Sequence, residues 1–331
     1  MPWEPLAEYL AGLVGCDSTP ESQAEFSAWV QSQGLSPSGD ENVQSYGLFG
    51  SGAGKLTAHW TIVEKLFPGC WPASRQTRGD CVSHSQRNAC LYTIACEIAA
   101  GKPDEVTGHI EQAPEVPDEG RRDGVFASEA YYWYRAHGGD GWQCERAARV
   151  AVEKTGAWPR KPYPELGLDL TKYSGGTAGK WGMVSPPENI TRQGQKNLFR
   201  TAARCESFET VRDMLANGYG ITSCGGEGFS STRDENGVSR RSGSWAHAMA
   251  YIGCDDRPEA HQKYGGPLVL VMNSWGKWNG GPRRVMGTNL DIPEGSFWAK
   301  WSDVSRRSAI AMSGFNGWPA QRLPDWTRGI F

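Results

Sequence analysis

The sequence predicts an α+β fold in which a helical half precedes a half built from an antiparallel β-sheet. Three observations lead to this prediction. Segments with helical spacing dominate as far as Leu215, short apolar runs typical of strands follow, and glycine-rich loops join those runs. Helices first and strands afterwards is the order expected when the two kinds of element segregate in space.

Composition excludes several classes of protein. The chain has 331 residues, with 34 Lys and Arg against 37 Asp and Glu, which gives a formal net charge of -3. This balance gives no electrostatic basis for a nucleic-acid partner or a membrane surface. No run of the sequence approaches the roughly 18 apolar residues of a membrane span. The 42 glycines and 15 tryptophans indicate many loops, packed by aromatic side chains.

Cysteine usage and the N-terminus predict a compartment. The first residues, Met1 to Tyr9, contain neither a basic region nor an apolar stretch, so we expect no secretory signal. The nine cysteines are dispersed and form no CxxC pair, which favours reduced, mostly buried thiols. We therefore expect an intracellular protein, or a component of a particle assembled in the cytoplasm.

The chain is expected to divide near residue 65. Residues 1–65 form an N-terminal accessory region, with helices at Leu6–Val14 and Glu21–Gln33 and a Gly/Ser-rich linker at Gly34–Lys55, and this region is a candidate surface for an assembly partner. The run Gly50–Lys55 differs from a phosphate-binding loop, because Phe49 occupies the position of the first glycine, so we interpret it as linker. The main domain, 66–331, is expected to comprise a helical half at about 66–200, a sheet half at about 201–310 and a C-terminal tail at 311–331.

The clearest predicted helix begins at Cys81. Apolar residues recur at helical spacing through Ile98, Asp80 is available as an N-cap, and Gly101 to Pro103 ends the run. The remaining elements follow from the same signals: helices at Ser128–Ala136, Glu145–Lys154 and from Ser207 to Leu215, an extended stretch at Trp158–Pro164, and strands at Trp245–Gly253, Leu268–Met272 and Ser296–Trp301. Segments 102–124 and 224–244 are interpreted as loops.

Three residues carry the chemistry that the sequence suggests. A cysteine at a helix N-terminus, such as Cys81, is placed where unpaired N–H groups favour a thiolate. His247 lies within a strand flanked by alanines and is the best candidate for a base among the six histidines. Asn273 ends an apolar strand, where its side-chain amide can accept from an imidazole N–H and fix one tautomer.

Cysteine, histidine and asparagine in this order, with Asn273-Ser-Trp-Gly276 after a strand, resemble a papain-like cysteine peptidase. Ser128-Glu129 followed by Gly138-Gly139, and Gly295-Ser-Phe-Trp298, are similar to further parts of that family. The resemblance covers roughly residues 70–305. It implies an α+β, papain-like fold with a cleft between the helical half and the antiparallel sheet half.

The resemblance also implies roles. Cys81 as a thiolate would attack a peptide or amide carbonyl, His247 as an imidazolium would protonate the leaving amine, and Asn273 would orient His247. Gln76 would supply one oxyanion donor beside the Cys81 backbone N–H, and Trp275 would shield the His–Asn bond. The substrate would be a peptide or protein cleaved through an acyl-thioester, and no metal or cofactor is implied.

Two other functions remain open at this level. The chain would be a structural or binding component of a larger assembly, such as a virus or phage particle, if the thiol were inactive. Alternatively the same residues would transfer the acyl group to an amine or cleave a non-peptide amide. His84, one turn after Cys81, is expected to pack rather than to react or to bind metal.

Overall fold

We describe the fold from a computed structural model. The structure describes residues 18–32, 50–71, 75–100, 126–127, 129, 143–156, 158–183, 188–195 and 198–315. The predicted helix Leu6–Val14 and the loop 102–124 lie outside these residues. The same holds for Ser128–Ala136 apart from Glu129, for most of the linker, and for the tail beyond residue 315.

The helices of the described residues precede or flank one sheet. They are α1 (Pro20–Ser32), α2 (Trp60–Leu66), α3 (Cys81–Ala99), α4 (Cys144–Val150), α5 (Gly175–Met183), α6 (Glu188–Gly194), α7 (Phe208–Ala216), α8 (Pro258–Tyr264) and α9 (Trp301–Val304). A π-helical turn, Ala151–Thr155, continues α4. The predicted helix start at Cys81 is confirmed, and Ser207 caps α7 by accepting from the Thr210 N–H as expected.

The sheet is antiparallel throughout its described ladders. Its strands are β1 (Leu56–Thr57), β4 (Ala202–Arg204), β5 (Ile221–Arg233), β6 (Ser239–Asp255), β7 (Leu268–Met272), β8 (Ser296–Lys300) and β9 (Ser308–Met312), while β2 (Pro162–Tyr163) and β3 (Leu168–Asp169) form a separate ribbon. The order is β4-β9-β5-β6-β7-β8, and β1 pairs with β6. The α+β class with an antiparallel sheet half is confirmed, in the arrangement that the papain-like resemblance implies.

Helix α3 is the centre of the molecule. Every residue from Cys81 to Glu97 is buried, so the helix has no solvent face although its sequence carries many polar side chains. It packs across β5 and β6, where Gly220 allows the closest approach to the backbone of Ala89. This contact sets the distance between the middle of α3 and the start of β5.

Parts of the N-terminal region belong to the same hydrophobic core. Phe26 and Trp29 of α1 and Trp60 of α2 are buried in one cluster with α3 and the sheet. The Trp29 indole donates to Glu153 at 2.8 Å, and β1 extends the sheet at the end of β6. The domain boundary near residue 65 stays a prediction.

Two expectations are corrected by the structure. Segment 224–244 is not a loop: β5 and β6 form a long hairpin that turns at Asp234–Gly237. Alternating polar and glycine residues concealed this hairpin, because its strands carry little apolar periodicity. Cys224 is disulfide-bonded, whereas seven other cysteines of the described residues form no disulfide and are buried. Dispersed spacing along the chain does not decide which sulfurs meet in space.

Candidate active site

Cys81 is the first residue of α3, and its side chain is completely buried. The sulfur accepts a hydrogen bond from the backbone N–H of Ala248 in β6 at 3.4 Å. Since Ala248 follows His247 directly, this bond places the helix N-terminus against the strand that carries the candidate base. The predicted cleft is not open above the sulfur, because Cys81 is 0% exposed and His247 is 2% exposed.

His247 and Asn273 are in direct contact. The Nε2 atom of His247 lies 2.7 Å from Oδ1 of Asn273, which also accepts from the Ser274 N–H at 2.7 Å. An amide oxygen only accepts, so a neutral His247 must carry its proton on Nε2 and keep the Nδ1 lone pair. Asn273 follows β7 directly and β7 pairs with β6, which explains why residues far apart in sequence meet.

Tryptophans enclose the histidine–asparagine pair. The Trp275 ring stacks on His247, with centroids 4.4 Å apart and an interplanar angle of 24°. Trp245 meets both rings edge-on, at 6.2 Å from His247 and 4.8 Å from Trp275. These rings keep water from the hydrogen bond and restrict rotation of the imidazole.

Gln76 is buried at the junction of the two halves. Its backbone N–H donates to the Ser274 carbonyl at 2.9 Å, and its side-chain oxygen accepts from the Ser274 hydroxyl. Its side-chain nitrogen donates to the Arg78 carbonyl at 2.8 Å. The loop before Cys81 is thereby tied to the residue after Asn273. The role of Gln76 as an oxyanion donor stays a prediction.

The residues before and after Cys81 are arranged differently from the prediction. Asp80 does not cap α3 through its side chain; the carboxylate instead accepts from the Tyr173 hydroxyl at 2.7 Å. His84 is 1% exposed and its ring meets Tyr173 edge-on at 4.8 Å, so it packs as expected. In the described part of the chain, no group of three or more His, Cys, Asp or Glu side chains is placed to hold a metal ion.

Burial governs the protonation of the pair. It raises the pKa of Cys81 to about 12, an effect that the Ala248 N–H opposes, and it lowers the pKa of His247 to about 3, an effect that Asn273 opposes. Burial therefore opposes the thiolate–imidazolium pair that the resemblance implies, because it disfavours the charged form of both side chains. Desolvation is the largest influence on both groups, and its direction favours a neutral thiol and a neutral imidazole.

This protonation predicts a stability effect in acid. Unfolded His247 would take up a proton near pH 6.5 and the folded side chain only near pH 3, so the unfolded state binds more protons between these values. The thermal midpoint should fall as the pH drops through this window, and it should fall less in His247→Gln, which keeps a neutral side chain there. Thermal unfolding followed across that pH range tests this, and equal slopes in the two proteins would contradict it.

The loop Gly50–Lys55 holds carboxylates of the chain itself. Asp213 accepts from the Gly52 N–H at 2.9 Å, and Asp256 accepts from the Gly54 N–H at 2.8 Å. The amide groups that a phosphate would need are therefore occupied, which agrees with the interpretation of this run as a connecting segment. Across the described ranges, no helix is sufficiently long and apolar to span a bilayer.

Sequence reasoning missed two contributors to this site. Ser274 lies inside the Asn-Ser-Trp-Gly motif, and this position is the only sequence feature that could have indicated its hydrogen bonds to Gln76. Arg307 lies 60 residues from His247, and its guanidinium donates to the His247 backbone carbonyl. No sequence pattern marks Arg307, because its place depends on the register of β5 against β9.

Neither a protein-family model nor a curated protein matches the sequence. The structure is similar to that of xylellain, a cysteine protease from Xylella fastidiosa, with 15% identity, a TM-score of 0.43, and 77% of this chain and 88% of the other covered. The structure is also similar to that of a clostridial cysteine protease after propeptide cleavage, with 16% identity and a TM-score of 0.44, and with 73% of this chain and 54% of the other covered. For procathepsin B from Trypanosoma congolense the identity is 11% and the TM-score 0.39, with 76% of this chain and 75% of the other covered.

Proposed function

We propose that the protein is a cysteine peptidase that hydrolyses peptide or amide bonds, with Cys81 as nucleophile, His247 as acid and base, and Asn273 as the group that orients His247. One observation supports this most strongly. The His247–Asn273 bond fixes the proton on Nε2, while the neighbouring Ala248 N–H binds the Cys81 sulfur. The strand that carries a base with a defined tautomer is therefore hydrogen-bonded to a thiol at a helix N-terminus, which is the pairing that nucleophilic catalysis requires.

The reaction starts from the neutral pair. When a substrate enters, the Cys81 thiol proton passes to Nδ1 of His247 as the sulfur attacks the carbonyl carbon. The oxyanion accepts from the Cys81 backbone N–H and from the Gln76 amide. His247 then protonates the leaving amine, an acyl-thioester forms on Cys81, and water activated by His247 releases the acid and restores the thiol.

A second function is favoured by the burial of Cys81. A thiol that is 0% exposed, with a pKa raised by desolvation to about 12, is inert as long as the site stays closed. A structural or binding component of an assembly does not require a reactive thiol, whereas a peptidase must open this site to solvent and substrate. The assembly partner and its contact with the N-terminal region belong to this second proposal.

Thiol reactivity separates the two functions. Alkylation of Cys81 by iodoacetamide, followed by peptide mass mapping between about pH 5 and pH 9, is compared in the parent and in His247→Ala. For a peptidase we expect alkylation of the opened site below the free-thiol pKa of about 8.5, and loss of this reactivity without His247. Alkylation that is slow at every pH below 8.5, or indifferent to His247, would contradict the peptidase and support the inert module.

The acceptor is tested separately. Products from a peptide substrate are compared with and without an added primary amine. Release of the free acid alone supports hydrolysis, while capture of the acyl group by the amine in preference to water would assign amine transfer.

A further inference from the structure

A buried arginine, Arg307, donates a hydrogen bond to the backbone carbonyl of the candidate base, His247. Arg307 lies in the turn between α9 and β9, and its side chain is 0% exposed. Its guanidinium donates to the backbone carbonyl of His247, to the Ser223 hydroxyl at 3.1 Å and to the Glu227 carboxylate at 3.3 Å. All these partners lie on β5 and β6.

The contact with His247 reaches Cys81 through one peptide group. The His247 carbonyl and the Ala248 N–H belong to the same peptide, and in a trans peptide they point in opposite directions. Arg307 donates to the carbonyl, and the N–H donates to the Cys81 sulfur at 3.4 Å. A charged donor on a carbonyl polarises the peptide and strengthens the N–H as a donor in turn.

We propose that Arg307 is a positioning residue of the active site, which aims and polarises the His247–Ala248 peptide so that its N–H stabilises the Cys81 thiolate. This inference rests on the proposed function for its catalytic meaning. A thiol sulfur is a weak acceptor and a thiolate a strong one, so the aimed N–H favours the charged, attacking form.

The sheet is built to admit this arginine. Gly225 is the cross-strand partner of His247, and a Cβ atom at Gly225 would lie 2.6 Å from Cγ of Arg307 and 2.6 Å from Oε2 of Glu227. The missing side chain gives the Arg307 stem its path across β5. Gly226, the next residue, has open space at its Cβ position and offers a matched comparison.

The positive charge of Arg307 lowers the pKa of both Cys81 and His247. After burial, which raises the pKa of Cys81, the Ala248 N–H and Arg307 are among the influences that lower it. Burial is the largest influence that lowers the pKa of His247, and Arg307 adds to it. Among the described residues, the other ionisable groups that act on the pair are Asp80 directly before α3, His84 on α3 and Cys144 on α4. Glu227 on β5 pairs with Arg307 itself.

The test removes the cation without leaving its carboxylate unpaired. The double variant Arg307→Met/Glu227→Gln is compared with Arg307→Lys, which keeps the charge but not the planar fork, and with Arg233→Met. Arg233 is also buried and donates to backbone carbonyls, those of Pro282 and Gly281, so its loss controls for stability. Gly225→Ala against Gly226→Ala provides a second route to displace Arg307.

Two measurements are made on each protein. The first is the pH profile of Cys81 alkylation, and the second is hydrogen exchange at the Ala248 amide. In the double variant and in Gly225→Ala we expect the profile to move to higher pH, with a rate at a mildly acidic pH lower by about tenfold, the effect of one pKa unit. Hydrogen exchange at the Ala248 amide should become faster. In Arg307→Lys, which keeps the positive charge, the pH profile should move less than in the double variant.

The outcomes separate this inference from the proposed function. An unmoved profile in the double variant, or an equal shift in Arg233→Met, would overturn the role of Arg307. If His247→Ala leaves the parent profile unchanged, the proposed function fails instead. Two measurements would then still decide whether Arg307 acts on the sulfur. One is the thiolate absorbance of Cys81, obtained by subtracting the absorbance of Cys81→Ser from that of the parent. The other is hydrogen exchange at the Ala248 amide.

Discussion

The Cys81→Ala variant should lose peptide hydrolysis by roughly 10⁴- to 10⁶-fold, since removal of a nucleophile leaves only the catalysis that binding and oxyanion donors provide. The loss should lie in kcat, because the sulfur reacts with the substrate but contributes little to holding it. The measurement is kcat and KM for a peptide that the parent cleaves, found with a mixed fluorogenic library.

The controls for this prediction use other buried thiols. Cys90 and Cys96 lie on the same helix and are buried to the same degree, so their alanine variants carry a similar packing change without touching the site. Thermal midpoints of the three variants measure that packing cost. Cleavage that survives in Cys81→Ala at more than about a hundredth of the parent rate would mean that another group acts as nucleophile.

The Gly220→Ala variant should be the most destabilising of the single substitutions considered. An added Cβ would lie 2.2 Å from the Ala89 carbonyl oxygen and 2.8 Å from its carbonyl carbon, and both are backbone atoms of α3. Backbone atoms in a completely buried helix cannot move aside as a flexible side chain can. We expect a loss of about 3 kcal/mol or more in the free energy of unfolding, at the upper end for overpacking.

Gly226→Ala is the matched control for this prediction. Both glycines lie at or next to β5, but a Cβ at Gly226 meets nothing within 4 Å. We expect its free energy of unfolding to stay within about 0.5 kcal/mol of the parent. Chemical denaturation of the three proteins measures the difference, and equal stability of Gly220→Ala and Gly226→Ala would show that α3 does not approach β5 as described.

Much of the fold follows from local patterns. The start of α3 at Cys81, the cap at Ser207 and the strand Leu268–Met272 were all predicted at the bounds that the structure shows. Each rests on a signal within about ten residues, such as a capping hydroxyl or a short run of apolar side chains. The β5–β6 hairpin gave no such signal, because Gly225, Gly226 and Gly228 interrupt the alternation that marks a strand.

The candidate site was predicted in part. The order of Cys81, His247 and Asn273, and the motif around Asn273, indicated which residues to consider, and the structure brings His247 and Asn273 into contact. The protonation of Cys81 and His247 could not be predicted from the sequence, because the sequence shows that a cysteine begins a helix but not that it is shielded from water. Desolvation then decides the pKa of both groups.

By itself the sequence determined the helical and sheet halves, the helix that presents Cys81, and the three side chains proposed for the chemistry. The tertiary structure alone decided that Arg307 lies behind His247, that Ser274 ties Gln76 to Asn273, and that the pair is closed to solvent. The reason is the range of the interactions: capping and periodicity act over a few residues, whereas burial and buried charge pairs depend on which distant strands become neighbours.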